Sequence, residues 1–323
     1  MKKVIVTGAA GFIGSNMVQF LLQNTDYYIY AIDNFVNGKT VYQKFLRDLI
    51  DDNSNRIEFF PINYKNFPDF PEHSIDIVFH FGALPSVPYS VEHPVETEQN
   101  NVSDTLQLIE NCRKIKIKRF VFSSSCAVYG NASHIPTNEN EHINPLSPYA
   151  LQKRTIEEYL RLYGHLYGFD SVCLRYFNVY GPNQFASNAY ANVISAWIHE
   201  LVKPDGKLRM DGDGTQSRDF VHVSDVCKAN FLLSQKEQKF FGDYLNVGSG
   251  TFISINEVKN LLFNLHGFDI PIDYCPSRPG DVNKTQADIS KIKGLGFEPK
   301  VDIVKGIIET YSWYKQQYET INI

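Results

Sequence analysis

A tyrosine and a lysine four residues apart, Tyr149 and Lys153, form the pair with the clearest potential for acid–base chemistry in this sequence. Ser147 followed by Pro148 is typical of a helix N-cap with proline at the first helical position, so both side chains are expected on one helix face. A cationic lysine beside a phenol favours the phenolate, which lets the tyrosine act as a base well below its free pKa. Tyr-x-x-x-Lys alone is more often an ordinary surface helix face, so its meaning depends on the rest of the chain.

The N-terminus carries the sequence of a dinucleotide-binding turn. An apolar strand over residues 3–7 leads into Gly8, Gly11 and Gly14, and a helix with apolar periodicity follows. Such glycines permit a tight turn, a close approach of the backbone to a pyrophosphate at the helix N-terminus, and close helix–strand packing. Asp33 lies 19 residues beyond Gly14, at the end of the next strand. An acid there binds the adenosine ribose and repels a 2′-phosphate, which favours NAD over NADP.

The first half of the chain alternates apolar strands with helices, which predicts a parallel sheet covered on both faces, with ligands at the carboxyl ends of its strands. The predicted strands are 3–7, 27–33, 57–62, 75–81, 119–125 and 171–177, and the predicted helices are 12–23, 40–52, 96–114 and 149–168. After residue 182 the elements become shorter. We therefore predict an α/β fold, with a doubly wound parallel Rossmann sheet in residues 1–182, to which 215–250 returns, and a smaller C-terminal α/β substrate-binding lobe in 183–323.

The composition of the chain argues against a nucleic-acid-binding protein and a membrane protein. The net charge of −5 over 323 residues argues against a nucleic-acid surface, and no apolar segment approaches the length of a membrane span. The chain enters a strand at once, which leaves no room for a signal peptide. Five widely spaced cysteines without a Cys-x-x-Cys motif predict reduced thiols in a cytoplasmic protein. The nine histidines show no ligand spacing, so no metal site is expected.

Several further motifs, in order along nearly the whole chain, resemble those of the extended short-chain dehydrogenase/reductases, in particular the NAD-dependent nucleotide-sugar epimerases. Besides the glycine turn and the Tyr-x-x-x-Lys pair, the matching segments are 80–83, 101–102, 175–182, 218–222, 278–281 and 287–288.

The resemblance implies a catalytic set in which Tyr149 is the base, Ser125 hydrogen-bonds the same sugar oxygen, and Lys153 supports the phenolate and holds the nicotinamide ribose. It implies NAD bound by Gly8, Gly11, Phe12, Ile13, Gly14, Asp33, Asn34, Asn63, Tyr64, Phe81, Ala83, Asn101, Ser123, Tyr149, Lys153 and Tyr176. It implies a nucleotide sugar bound by Ser86, Ser125, Tyr149, Asn178, Val193, Arg218, Arg278, Asp281 and Thr285. Asn63 departs from the family, which usually has an Asp there, so adenine binding is expected to be weaker or altered.

Residues 126 and 127 bear on the type of reaction. In 4,6-dehydratases of this family the matching pair is Asp and Glu, which remove the C5 proton and protonate the leaving hydroxyl. Cys126 and Ala127 can do neither. The resemblance therefore favours C4 epimerisation through a transient 4-keto sugar, with a 4,6-dehydratase as the alternative and a non-catalytic NAD-binding protein as a further one.

The identity of the sugar is inferred from Thr285. This short side chain leaves room for an N-acetyl group, whereas plain-hexose epimerases have a bulky aromatic residue at the matching position. Residues 188–194 and 86–88 also resemble epimerases of N-acetylhexosamines. Uronate epimerases usually carry Thr and Arg in place of Asn178 and Asn183. The resemblance thus implies interconversion of UDP-N-acetylglucosamine and UDP-N-acetylgalactosamine, with UDP-glucose/UDP-galactose and a UDP-uronate left open, and with UDP favoured over dTDP. It places the enzyme in polysaccharide biosynthesis, as a homodimer through a four-helix bundle of 96–114 and 149–168.

Overall fold

The computed structural model of the protein describes residues 1–36, 40–185, 192–276 and 283–321, with the side chains of 40–44 and 320–321 left aside. The helices are α1 Phe12–Asn24, α2 Thr40–Asp52, α3 Val87–Glu92, α4 Pro94–Glu98, α5 Thr105–Lys114, α6 Pro148–Tyr167, α7 Val193–Leu201, α8 Val223–Gln235, α9 Ile255–His266, α10 Ser290–Lys293 and α11 Ile303–Ile321. The strands are β1 Lys3–Thr7, β2 Tyr28–Ile32, β3 Ile57–Phe60, β4 Ile77–His80, β5 Arg119–Ser125, β6 Ser171–Tyr176, β7 Asn178–Tyr180, β8 Leu208–Asp211, β9 Ser217–Arg218, β10 Phe220–His222, β11 Asp243–Val247, β12 Ile253–Ser254 and β13 Ile272–Cys275.

Within the described residues, seven strands form one sheet in the order β11-β6-β5-β4-β1-β2-β3. The pairs β1–β2, β2–β3, β1–β4 and β4–β5 are parallel. β1 and β4 are buried along almost their whole length, as expected for apolar strands covered on both faces. Strand order reverses between β1 and β4, which is where this kind of sheet opens a ligand crevice. The predicted Rossmann-type fold is confirmed.

One predicted helix is interrupted. The segment 96–114 consists of α4, a π-helical turn at Gln99–Asp104, and α5. The turn contains Asn101, whose side chain accepts a hydrogen bond from Leu84 N (2.7 Å) and donates to Leu84 O (3.0 Å). A continuous α-helical register would move this side chain away from the strand-end segment that it holds. Apolar periodicity does not reveal such a turn.

The chain divides into two compact units. The first comprises residues 1–128, 145–175 and 227–245 and contains most of the large sheet. The second comprises 129–144, 176–226 and 246–323, so residues 129–144 and 176–182 cluster with it. In the second unit, β7 pairs with β10, β9 with β12 and β8 with β13, around a core that includes α7, α9 and α11.

The described helices include none that is both long and apolar enough to cross a membrane. In the same residues no three His, Cys, Asp or Glu side chains are grouped so as to hold a metal ion. Each of the five cysteines is a free thiol.

Candidate active site

The glycine turn after β1 depends on glycine at two positions. Gly8 has φ +67°, and a Cβ there would lie 2.6 Å from Gly82 N, at the end of the neighbouring strand β4. A Cβ on Gly14 would lie 2.0 Å from Gly8 O. Gly11 N donates to Gly8 O at 2.9 Å and closes the turn. The turn is therefore a cradle of bare backbone at the N-terminus of α1, which fits a pyrophosphate.

Asp33 follows β2 and is fixed beside this turn. Its carboxylate accepts hydrogen bonds from Ala10 N (3.0 Å) and Phe35 N (2.7 Å). Burial raises the pKa of Asp33, and the two backbone hydrogen bonds oppose that rise. The spacing predicted from the sequence thus brings an acid next to the glycine cradle, as the ribose of a dinucleotide requires.

The N-terminus of α6 is held by two serines. Ser147 caps the helix and accepts from Ala150 N (3.2 Å), with Pro148 at the first helical position, which confirms the predicted cap. Ser90, on α3, accepts a hydrogen bond from Tyr149 N at 3.1 Å. The sequence analysis missed this second contact. The main chain of the predicted base is therefore fixed by α3 as well as by its own cap.

Ser125, Tyr149 and Lys153 are brought together, as predicted. The Ser125 hydroxyl lies close enough to the Tyr149 phenol to oppose the rise in its pKa that burial causes. Lys153 Nζ donates to Ser123 O at 2.8 Å and lies 5.8 Å from the centroid of the Tyr149 ring. Tyr149 and Lys153 are both buried. The geometry places one phenol, one hydroxyl and one cation at the carboxyl end of β5.

The pKa values of Tyr149 and Lys153 differ from those expected for a phenol beside a cationic lysine. Burial raises the pKa of Tyr149 to about 12, and its hydrogen bond with Ser125 opposes the rise. Burial lowers the pKa of Lys153 to about 7, against the nearby charge of Glu157. The spacing of the pair had suggested a lowered tyrosine pKa. The protein side chains alone do not produce it, because desolvation disfavours both charged forms.

The other predicted cofactor residues lie on several elements. Tyr64 is buried, donates its hydroxyl to Asn100 O, and packs edge-on against His80. Asn63 accepts from Lys65 N and donates to Asp104, so its amide is engaged. The remaining ones are Phe12 and Ile13 in the first turn of α1, Asn34 on an exposed turn, Phe81 and Ala83 after β4, and Tyr176 at the end of β6.

Predicted substrate residues meet within the second unit. Asn178 Nδ2 lies 3.4 Å from Thr285 Oγ1 and donates to Asp219 O at 3.0 Å. Arg218 is half-buried, and its Nη1 donates to Ser217 O at 3.0 Å.

Two other predicted substrate positions lie at the starts of helices, and two more cannot be placed. Val193 begins α7, and Ser86 caps α3 in the first unit. Arg278 and Asp281 lie outside the described residues.

Asp219 connects these residues and was not singled out from the sequence. Its carboxylate accepts from Ser249 N, Ser249 Oγ, Gly250 N and Ala287 N at 2.7–3.1 Å. Its own N–H donates to Thr285 Oγ1 at 3.3 Å. Four donors on one buried carboxylate make Asp219 the structural centre of this part of the second unit.

Comparison with known proteins identifies the family. The model for the NAD dependent epimerase/dehydratase family matches residues 4–248. The chain belongs to this family. NAD is the cofactor of these epimerases and dehydratases, and the cradle at Gly8 and Gly14 together with Asp33 fits it.

Relatives of this epimerase/dehydratase are named for different UDP-sugars. A UDP-N-acetylglucosamine 4-epimerase from Methanobrevibacter ruminantium, solved with UDP-N-acetylmuramic acid, is 36% identical with a TM-score of 0.89, covering 98% of this chain and 99% of that chain. A UDP-glucuronate 4-epimerase from Thermodesulfobacterium geofontis is 34% identical over 98% of this chain and 97% of its own. A UDP-glucose 4-epimerase from Thermotoga maritima, solved with UDP-glucose, is 32% identical with a TM-score of 0.87, covering 98% and 99%.

Proposed function

We propose that this protein is a UDP-sugar 4-epimerase that interconverts UDP-N-acetylglucosamine and UDP-N-acetylgalactosamine and also accepts the plain hexose pair. The observation that carries the proposal is the group formed by half-buried Ser125 and buried Tyr149 and Lys153, in the same sheet unit as a glycine cradle for NAD. This group can remove a proton from a sugar hydroxyl at the place where hydride transfer would occur.

In the proposed mechanism, Tyr149 takes the proton from the sugar O4, and Ser125 hydrogen-bonds the same oxygen. NAD, when bound, supplies the oxidation of C4 and its reduction from the opposite face. Lys153, held by Ser123 O, provides positive charge close to the phenol. After the ketone has turned over, Tyr149 returns the proton to O4, so neither atoms nor electrons are lost.

Epimerisation is favoured over dehydration by the turn that follows β5. Cys126 and Ala127 belong to a 3₁₀ turn, and Ala127 N donates to Ser125 Oγ at 3.2 Å. Ala127, two positions after Ser125, thus supports the serine through its backbone, and neither side chain is a carboxylic acid. A 4,6-elimination needs an acid and a base at C5 and C6, which these two side chains do not supply.

The acetamido preference is proposed from Thr285. Its hydroxyl meets Asn178 and the Asp219 N–H, so a short side chain stands at the position expected to face C2 of the sugar. The similarity to the Methanobrevibacter UDP-N-acetylglucosamine 4-epimerase supports the same choice. A uronate substrate is the second candidate, because a UDP-glucuronate 4-epimerase is 34% identical.

The function is tested by incubating the purified protein with UDP-N-acetylglucosamine and analysing the product by mass spectrometry and NMR. An unchanged mass with new galacto-configured signals supports the proposal. Loss of one water would establish a dehydratase. The same assay with UDP-glucuronate and UDP-glucose ranks the sugars, and conversion of the uronate alone would overturn the acetamido assignment.

Substituting Tyr at Thr285 should change sugar choice more than overall activity. The phenol ring fills the space of an acetamido group, so kcat/KM for UDP-N-acetylglucosamine is expected to fall roughly tenfold to hundredfold relative to UDP-glucose. Thr285→Ser keeps the hydroxyl that meets Asn178 and serves as the matched control, with both sugars retained. Equal losses for the two sugars in Thr285→Tyr would refute the proposed role of Thr285 in sugar choice.

We also propose that the enzyme is a homodimer through α6. This helix exposes Leu151 (57%), Leu162 (47%) and Leu166 (55%), and a groove of about 950 Å³ runs along it past Thr155 and Glu158. Positions 151, 155, 158 and 162 alternate in steps of four and three, the spacing of helices that pack side by side. A second copy of the same face is the proposed occupant, since symmetric association pairs identical patches.

Leu162→Arg should convert the dimer to a monomer, because it places a charge in the centre of the proposed apolar contact. Light scattering after gel filtration measures the mass. Val304→Arg, at an exposed apolar position on α11, is the control and should leave the mass unchanged. A dimer that survives Leu162→Arg would place the interface elsewhere.

A further inference from the structure

Three consecutive serines, residues 123–125, end β5, and each meets a different side chain of α6. The first accepts a hydrogen bond from Lys153 through its carbonyl, at 2.8 Å. The hydroxyl of Ser124 donates to Glu157 Oε1 at 2.6 Å. The hydroxyl of Ser125 lies near the phenol of Tyr149 and opposes the rise in its pKa. The contact between Ser124 and Glu157 thus lies between those of Lys153 and Tyr149, and the proposed reaction uses neither Ser124 nor Glu157.

Glu157 is completely buried and paired with Arg175, whose side chain is equally buried. Two hydrogen bonds join them, from Arg175 Nε to Oε1 (2.8 Å) and from Nη2 to Oε2 (2.7 Å). Arg154 Nη1 adds a third donor to Oε2 at 2.9 Å. The guanidinium of Arg175 also lies 3.8 Å from the centroid of the Tyr244 ring. With the hydroxyl of Ser124, this carboxylate is fully satisfied.

A buried ion pair is a weak source of stability, because desolvating two charges costs about as much as their attraction returns. An apolar pair would fill the same space between α6 and β6 at similar stability. The position of this pair, directly beneath the strand end that carries Ser125, suggests another use.

We propose that Glu157 is a positioning residue of the active site: it fixes the serines of β5 against α6 and is the counter-charge of the Lys153 ammonium. The proposal rests on the epimerase function proposed above. Glu157 follows Lys153 by one helical turn, so the two side chains lie on the same face. Without this anchor, the end of β5 that carries Ser125 is free to shift against α6, which carries Tyr149.

The charged and polar groups around Lys153 explain why Glu157 is proposed as its counter-charge. Tyr149 and Glu157 approach from its own helix, His80 from β4, and the Ser123 carbonyl from β5. The cations Arg154 and Arg175 are both paired with the Glu157 carboxylate. Burial drives the pKa of His80 well below its usual value, so this neighbour is neutral. Glu157 is thus the anion that favours the charged form of Lys153.

Two variants separate position from charge. Ser124→Ala removes one hydrogen bond and keeps every charge. We expect kcat to fall roughly tenfold to hundredfold, with KM within about twofold and the Lys153 pKa unchanged. Ser171→Ala is the matched control: a buried serine in the neighbouring strand β6, whose hydroxyl has no hydrogen-bond partner among the described residues. It should leave kcat unchanged.

Glu157→Gln keeps an acceptor for Ser124 and removes the negative charge. We expect the Lys153 pKa, followed by ¹³C NMR of labelled lysine with Lys153→Arg for assignment, to fall by about one unit. The alkaline limb of the kcat–pH profile should move to lower pH by the same amount. Glu157→Gln/Arg175→Met removes one charge of each sign, so the Lys153 pKa should fall in the same direction by less; it serves if the single variant fails to fold.

The proposal is overturned if Ser124→Ala retains the kcat of Ser171→Ala, or if Lys153 titrates in the charge-neutral variants as it does in the native enzyme. A fall in thermal stability alone, with kcat and the Lys153 pKa intact, would make Glu157 merely structural. The NMR titration does not depend on turnover. A native protein that converts no UDP-sugar would therefore refute the proposed function and still leave the Lys153 measurement decisive.

Discussion

Replacing Tyr149 by Phe is expected to lower turnover of a UDP-sugar by about 10²- to 10⁴-fold while NAD remains bound, because the phenol is the proposed proton acceptor. The substitution keeps the ring in its buried site. It also keeps the two main-chain contacts of the helix start, from Tyr149 N to Ser90 Oγ and from Ala150 N to Ser147 Oγ. Turnover is measured by NMR of the sugar, and NAD content by extraction and absorbance of the purified protein.

Tyr163→Phe is the matched control for this experiment. Tyr163 lies on the same helix, about four turns after Tyr149, and burial together with the nearby Glu110 raises the pKa of its phenol. We expect native turnover in this variant. If Tyr149→Phe is as active as Tyr163→Phe, the proposed base is wrong, whatever the identity of the sugar.

Gly14→Ala should remove NAD and destabilise the first unit. The added Cβ would lie 2.0 Å from Gly8 O and 2.7 Å from Gly8 C, and both are backbone atoms of the turn that forms the cradle. Overpacking of a rigid site typically costs about 1–3 kcal/mol, and here the free energy of unfolding is expected to fall by about 3 kcal/mol. Thermal denaturation and NAD content measure the two effects.

Gly294→Ala provides the comparison. Gly294 has φ −58°, and a Cβ there meets its neighbours at ordinary contact distances of 3.4 and 3.6 Å. This variant should keep native stability and native NAD content. Full NAD occupancy in Gly14→Ala would mean that the turn can open without cost, against the geometry of its backbone.

The elements that carry the site could be predicted because their determinants are local. The limits of β1 and β5 agree with the sequence prediction, and α6 is displaced by one residue at each end. Ser147 and Pro148 define the start of α6 through capping, which is encoded within a few residues. The placement of Tyr149 and Lys153 on one face of this helix then follows from helical spacing alone.

The contacts that depend on burial could not be predicted in this way. The pKa of Tyr149 is raised by desolvation, a quantity that spacing does not contain. The partner of Glu157 is 18 residues away on another element, Arg175. Its place four residues after Lys153 was visible in the sequence, but most such helix carboxylates face solvent. The π-turn at Gln99–Asp104 is likewise set by a tertiary contact.

The single residue Asp219 limits how the sugar preference of this protein can evolve. Asn178 and Thr285 both bond to its backbone, on the carbonyl and the N–H respectively. A change at either position therefore alters the support of the other, and the effects of paired substitutions are not additive. We expect epistasis between positions 178 and 285, so variants with a new sugar preference are reached more readily by simultaneous changes than by successive single ones.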